Sequence, residues 1–405
     1  MDIQKKRWGV LVACCAINLC LGSIYAWSVF AGGMADYLSA LHGVTVTTGD
    51  LAIVYTIANA VGPITMISGG YVNDRIGPRL VILTGGLMFG LGMVASGFMT
   101  SVTGLIVTYG LIAGLGLGMA YGATISSCQK LFPDKRGLIG GITTAVYGMS
   151  SVILPPVVTM IVSASDATVA FKIIGAVFAI VIAVCSMFII KAPEDTSAPA
   201  KGTKPSAVVN YDWKDMIKMP VFYCMLVMLT CGAFAGMMII SQASAVATNM
   251  VGMSAMAAAS AVSILALFNA LGRIVAGSIS DKIGRINTLA GACALSVLGL
   301  VLLVMTKTGM MMTFYLGVIC VGLSFGAFMG VFPGFTADEF GPKNNSVNYG
   351  IMFIGFALAG YFGPTLMRSI YAADGAYGRA FLIAIVFDIA GIVLSVLYRR
   401  FSRKA

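Results

Sequence analysis

Charged side chains are scarce in this chain. Only 10% of its 405 residues carry one, against 59% that are hydrophobic, whereas a soluble globular domain carries roughly 25% charged residues. That shortage excludes a soluble domain and makes the solvent a lipid bilayer. Histidine is scarcer still: one histidine, His42, leaves no set of imidazoles for metal binding or acid–base catalysis. The nine cysteines, Cys14, Cys15, Cys20, Cys128, Cys185, Cys224, Cys231, Cys293 and Cys320, are odd in number, sit inside apolar runs and form no CxxC pair. They argue against a disulfide framework and against a metal site. No nucleophile, base and acid occur together as a set, which disfavours a membrane enzyme, and no cofactor is expected.

What is abundant is apolar sequence in lengths that cross a bilayer, about 20 residues each. Twelve such spans begin near Trp8, Leu51, Leu80, Gly104, Leu138, Val169, Pro220, Ala255, Ile286, Met311, Ser346 and Arg379, which predicts an all-α membrane protein. Lys5, Lys6 and Arg7 resemble the opening of a signal peptide, but the apolar run behind them continues to about Phe30 without a small-residue cleavage site. It therefore reads as a retained first span. The 49 glycines and 26 methionines suit helices that pack closely in lipid, where small residues let backbones approach.

The polar interval "KAPEDTSAPAKGTKPSAVVNYDWKDMIKM" (191–219) divides the spans six and six. It predicts an N-terminal bundle over 1–190, a linker over 191–218 with a short surface helix at Asp212 to Met219, and a C-terminal bundle over 219–405. Basic residues set the orientation. With the N-terminus in the cytoplasm, twenty Lys and Arg fall on that side and only Lys172, Lys307, Arg368 and Arg379 on the other. Both termini are therefore expected to be cytoplasmic, with the chain a multi-pass monomer in the cell (inner) membrane. The net charge of +10 is then a topology signal that calls for the lipid bilayer as partner and for no nucleic acid.

The halves also repeat. "GYVNDRIGPR" (70–79) follows span two and "GSISDKIGR" (277–285) follows span eight, placing Asp74 and Asp281 207 positions apart in the pattern G-x-x-x-D-[RK]-I-G. A looser echo joins "LFPDKRG" (131–137) to "VFPGFTADEFGPKNN" (331–345). Duplicated six-helix halves are what a two-bundle transporter needs in order to alternate access about a central site. Asp74 with Arg75 and Arg79, and Asp281 with Lys282 and Arg285, lie at cytoplasmic helix ends, where they read either as charge latches of a gate or as ordinary positive-inside loops. Asp134, Lys135 and Arg136 allow the same two readings.

These paired motifs resemble the signature of the major facilitator superfamily. More narrowly, Leu131 to Gly137, Asn269-x-x-x-Arg273 and Asn348-Tyr349-Gly350 resemble the oxalate:formate antiporter family and its relatives, the monocarboxylate transporters. The resemblance implies two pseudo-symmetric six-helix bundles, with span eight lining a central cavity and span twelve on the outside of its bundle.

Arg273 stands alone among the charges of an apolar segment running from about Ala255 to Ser280. It precedes Asp281 by eight residues, which sets it about 12 Å from that helix end, near the bilayer midplane. Arginine is never deprotonated in a protein, so its charge must be compensated. Asp388 in span twelve is the one acid on offer for a structural pair, and the resemblance places it on the wrong side of the bundle. A substrate carboxylate is the partner that fits a guanidinium fork. The resemblance adds that dicarboxylate carriers of the family hold a lysine in span eleven where this chain has Phe356, and that animal monocarboxylate transporters hold an aspartate where this chain has Asn269. One fixed charge suits one carboxylate.

Tyr25 and Trp27 (span one), Tyr121 (span four), Tyr147 (span five), Phe325 (span ten), and Phe353 and Phe356 (span eleven) fall on segments that line the path in that family, and each reads as a pocket wall or as packing. Pro155, Pro156 and Pro364 read as kinks near outer helix ends. The expected function is secondary transport of a small monocarboxylate such as lactate, pyruvate, acetate or formate, coupled to a proton that rides with the acid. The alternatives are an anion exchanger of the oxalate/formate type and a carboxylate sensor that moves nothing. A sensor would add a signalling domain, for which neither terminus has room.

Overall fold

The computed structural model describes residues 3–193 and 209–402; the middle of the expected linker lies outside the described residues. Twelve helices are long and apolar enough to cross a membrane: α1 (Lys6–His42), α2 (Ala52–Arg75), α3 (Pro78–Ser96), α4 (Val102–Leu131), α5 (Arg136–Ala164), α6 (Ala167–Ser186), α7 (Pro220–Asn249), α8 (Ser260–Ile283), α9 (Arg285–Met305), α10 (Met311–Phe340), α11 (Asn345–Asp374) and α12 (Gly378–Phe401). Their order matches the spans read from hydropathy, and no strand occurs among the described residues. In lipid this is the expected outcome, because a helix satisfies its backbone groups internally.

The chain forms two compact units. The first holds α1–α4, α6, α5 from Val146 onward, and the segment Lys343–Ile351; the second holds α7–α10, α12, residues 134–145, and α11 from Met352 onward. The first turns of α5 and α11 thus belong to a different unit from the rest of their own helices.

In the first unit α2 packs on α4, α3 on α6 and α4, and α1 on α4 and α6. Small residues make these approaches possible: a Cβ on Gly118 would strike the Gly62 backbone, and one on Gly116 the Gly85 carbonyl. Phe30, Phe89, Phe171 and Tyr109 fill the interior. In the second unit α10 packs on α8 and α9, and α7 on α11 and α12. Gly322, Gly326 and Gly330 lie one turn apart on α10, and their missing side chains admit the α8 backbone at Leu265, Asn269 and Arg273. With no hydrophobic effect between helices in lipid, such contact is the main source of adhesion.

Three helices are interrupted within their length. α1 tightens into a 3-10 turn at Gly22–Ala26, where Gly22 lets the α5 backbone at Tyr147 approach. α4 widens into a π-helix at Ile106–Ala113. α11 breaks at Phe353, between Asn345–Met352 and Ile354–Asp374. By contrast, Pro155, Pro156 and Pro364 lie inside continuous helices.

The turns after the repeated motif need glycine. Gly77 (φ 117°) and Gly284 (φ 90°) adopt positive φ, a region that side-chain-bearing residues avoid. Pro78, at the first turn of α3, gives up no helical hydrogen bond there. At the other helix ends, Asp166 caps α6 by accepting from Thr168 Oγ1 (2.6 Å) and Val169 N (2.9 Å), and these bonds hold its carboxyl below the usual range. In the linker, Tyr211 N donates to the Phe340 carbonyl at 2.9 Å. The surface helix there is a single turn, Trp213–Met216, capped by Asp212. It is shorter than the expected Asp212 to Met219 because Pro220 already opens α7.

Candidate functional site

Arg273 is the centre of the candidate site in the second unit. Its backbone sits where α8 crosses Gly326 and Gly330 of α10 and Gly141 of α5, and the residue is 3% exposed. Nη1 donates to the Thr144 carbonyl (2.6 Å) and Nε to Asn269 Oδ1 (3.2 Å), one turn earlier on α8. Both acceptors are neutral. Among the described residues Arg273 has no carboxylate partner. A guanidinium carries five N–H donors, so two bonds leave donors for a further acceptor. The cost of placing Arg at a helix centre, about 2.5–3.5 kcal/mol on insertion scales, is matched by bonds to a charged group at about 1.5–3 kcal/mol each. The site is therefore stable as it stands and still unsatisfied in charge.

Asp388 does not supply that charge. It is 0% exposed, Ser296 Oγ donates to its Oδ2 at 2.6 Å, and its Oδ1 has no partner among the described residues. The apolar residues singled out from the sequence do gather: Phe356 stacks on Phe353 (4.5 Å between ring centres) and faces Phe325 at 6.3 Å. Phe325 is buried against Gly236 of α7.

In the first unit Tyr147 stands between Tyr121 (4.5 Å) and Tyr25 (5.4 Å). Tyr25 lies in the 3-10 turn of α1 and remains 37% exposed, whereas Tyr121 is buried at 8%. Below them Thr124 Oγ1 donates to Asn18 Oδ1 (2.9 Å). Trp27 is 7% exposed and packs on Tyr109 at 4.7 Å, outside the three-ring cluster.

Each motif aspartate closes onto a helix N-terminus. In the first unit Asp74 pairs with Lys130 of α4 (2.5 Å) and accepts from the backbone N–H of Ser346 (3.4 Å) and Val347 (3.1 Å), at the start of α11. In the second unit Asp281 pairs with Arg285 (2.6 Å) and accepts from Gly137 N and Leu138 N (both 2.9 Å), at the start of α5. A carboxylate there meets unsatisfied N–H groups and the positive end of the helix dipole.

The neighbouring cations are arranged differently from the expected latch. Arg75 lies over the Tyr71 ring (3.9 Å), and Arg79 donates to the carbonyls of Met187 and Ile189; neither bonds to Asp74. Lys282 makes no ion pair among the described residues. Sequence reasoning missed Lys130, and it missed Asp338, which bridges Arg136 (2.8 Å) and Arg285 (2.9 Å). Asp338 lies in the looser repeat "VFPGFTADEFGPKNN", so a signal for it was present.

Two motif-bearing helical units and a buried, uncompensated cation define a membrane transporter of the two-bundle class. The Major Facilitator Superfamily profile matches residues 17–364, and the chain belongs to that superfamily. It is similar to YhjX, an uncharacterised transporter of this type from Escherichia coli K12, at 27% identity over 88% of this chain and 86% of the relative. It is also similar to the oxalate:formate antiporter of Oxalobacter formigenes (27% identity; 96% and 91% covered) and to human monocarboxylate transporter 12 (23%; 93% and 77%). Among solved structures, the proton:xylose symporter XylE superposes with a TM-score of 0.74 at 15% identity (99% and 96% covered). The transporter FucP in its outward conformation gives 0.72 at 13% (96% and 98%). At such identities these likenesses concern the fold. The protein is a multi-pass membrane transporter and not an enzyme.

Proposed function

We propose that this transporter moves a small monocarboxylate of the lactate, pyruvate, acetate or formate type by alternating access, with a proton that rides on the acid. Arg273 carries the proposal: a permanent cation, 3% exposed, bonded only to a carbonyl and an amide oxygen, is built to receive a carboxylate. Asn269 orients it, and the rings of Phe325, Phe353 and Phe356 offer an aliphatic substrate an apolar wall. Tyr121, Tyr147 and Tyr25 are assigned to substrate contact through their hydroxyls. One positive charge selects a monoanion, because a dianion would leave a negative charge uncompensated at low dielectric.

The Asp74–Lys130 and Asp281–Arg285 pairs serve as gates that release a helix N-terminus during the cycle, on the cytoplasmic side, and Arg75, Arg79 and Lys282, which bond to neither aspartate, flank them in sequence only. Similarity to an oxalate:formate antiporter favours a second reading, exchange of one anion for another.

Uptake of labelled L-lactate and acetate into proteoliposomes tests the anchor. Arg273→Ala is expected to abolish uptake. Arg273→Lys should lower it at least tenfold, since an ammonium cannot reproduce the two-pronged bond to a carboxylate. Uptake at the wild-type rate by folded Arg273→Ala protein would refute the assignment.

A further inference from the structure

The polar groups of the first unit extend beyond the three tyrosines above. On α2, Tyr55 is half-buried and Asn59 exposed, at positions i and i+4 of one helix face. Asn59 Nδ2 donates to the Tyr55 carbonyl at 2.8 Å. Four residues on is Pro63, inside the same helix, and proline has no N–H to give the Asn59 carbonyl. Gly110, next to Tyr109 on α4, admits α2 at Val54 and Ile57, either side of Tyr55, and Trp27, two residues after Tyr25, packs on Tyr109. Tyr109 is 1% exposed, and its hydroxyl has no partner among the described residues. It stands in the π-helical stretch of α4, a backbone form frequent at functional sites, with Trp27 and Phe171 packed around its ring at 4.7 and 5.7 Å. A buried hydroxyl with no bond is unfavourable, and neither flanking ring offers it an acceptor.

We propose that Tyr25, Tyr55, Asn59 and Tyr109 form a second carboxylate subsite, made of neutral donors, toward the His42 end of the first unit. The proposal rests on the monocarboxylate reading and adds to it a station without fixed charge. Three phenolic O–H groups and one amide NH2 donate to the two oxygens of a carboxylate. Without a guanidinium the anion is held weakly enough to move on, which conduction through successive sites requires. Neutral dipoles also hold a monoanion far better than a dianion, so this station reinforces the charge selection assigned to Arg273.

Trp27 is the reporter. Of the three tryptophans, Trp8 packs on Phe132 and Trp213 lies on the linker helix. Trp8→Phe with Trp213→Phe therefore leaves Trp27 as the sole emitter, beside Tyr109. In that protein carrying Arg273→Ala as well, titration with L-lactate is expected to give a saturable change in Trp27 emission, at least tenfold weaker than with Arg273 present. Adding Tyr55→Phe and Asn59→Ala should remove it.

Tyr109→Phe should weaken the response at least threefold without lowering the melting temperature, which a packing role for the hydroxyl would lower. No response in the Arg273→Ala protein, or one that survives loss of Tyr55 and Asn59, overturns the subsite. Failure of the anchor would instead appear in the Arg273→Ala uptake assay, in which these four residues are intact.

Discussion

A guanidinium bonded to two neutral oxygens would, on the proposed reading, set the charge a ligand can bring. Within the second unit, Phe356 contributes only ring surface to that balance, stacked on Phe353. Phe356→Lys would add a second cation where the resemblance places one in dicarboxylate carriers. We expect calorimetry to show a gain in oxalate affinity of at least tenfold, about 1.4 kcal/mol, with weaker binding of lactate. A folded Phe356→Lys protein that binds oxalate no better than wild type would remove Phe356 from the pocket. Asn269 differs from the aspartate of animal monocarboxylate transporters in being unable to titrate. Its Oδ1 accepts from Arg273, so it steers the guanidinium without neutralising it.

Helices meet here through glycine, and the consequences differ sharply along the chain. A Cβ at Gly326 would strike the Asn269 carbonyl and the Arg273 nitrogen, whereas one at Gly291 meets nothing within 4 Å. Gly326→Ala should therefore force α8 and α10 apart and destabilise by about 1–3 kcal/mol. Gly291→Ala, exposed within α9, should stabilise by about 0.4–1 kcal/mol through the unfolded chain. Thermal melting in detergent separates the two, and equal shifts would contradict the packing.

The start of α11 is held by one carboxylate and a buried hydroxyl chain, in which Asn73 Nδ2 donates to Ser346 Oγ (2.5 Å) and Ser346 Oγ to Ser126 Oγ (2.7 Å). Replacing Asp74 with Asn removes the charge from the helix N-terminus. Maleimide should then label a Ser346→Cys reporter at least threefold faster. Unchanged labelling would show that the aspartate does not hold this segment.

Transport itself belongs to the whole molecule. A carrier loaded with one anion and one proton moves no net charge beyond the empty one, so it answers a pH gradient and hardly answers voltage. An exchanger instead reorients slowly when empty, because a bare guanidinium in a closing site is costly. L-lactate uptake into empty vesicles with an alkaline interior is expected to be robust; uptake that appears only after preloading with an acid would establish exchange. Asp388→Asn is the control. The carboxyl is buried against Ser296 and shares no hydrogen bond with Arg273, so pH-driven uptake should stay within twofold of wild type. Its loss would make Asp388 the proton carrier.

The sequence by itself determined the solvent, the number of spans, the duplication and the isolated cation. Each of these is a local or periodic property: twenty apolar residues announce a span, a repeated G-x-x-x-D-[RK]-I-G announces two halves, and a single Arg273 in an apolar run needs no neighbour to be conspicuous. Only the tertiary structure decided what the charged groups touch. Asp74 reaches backbone N–H groups 272 and 273 positions away, and Arg273 reaches a carbonyl 129 positions away. Every residue except proline carries such backbone groups, so no residue type marks them in advance. The tyrosine within the π-helical stretch was equally silent, since a one-residue change in helical bonding leaves no trace in composition. Contacts of this kind arise when helices pack, and packing here is set by which glycines face which backbones.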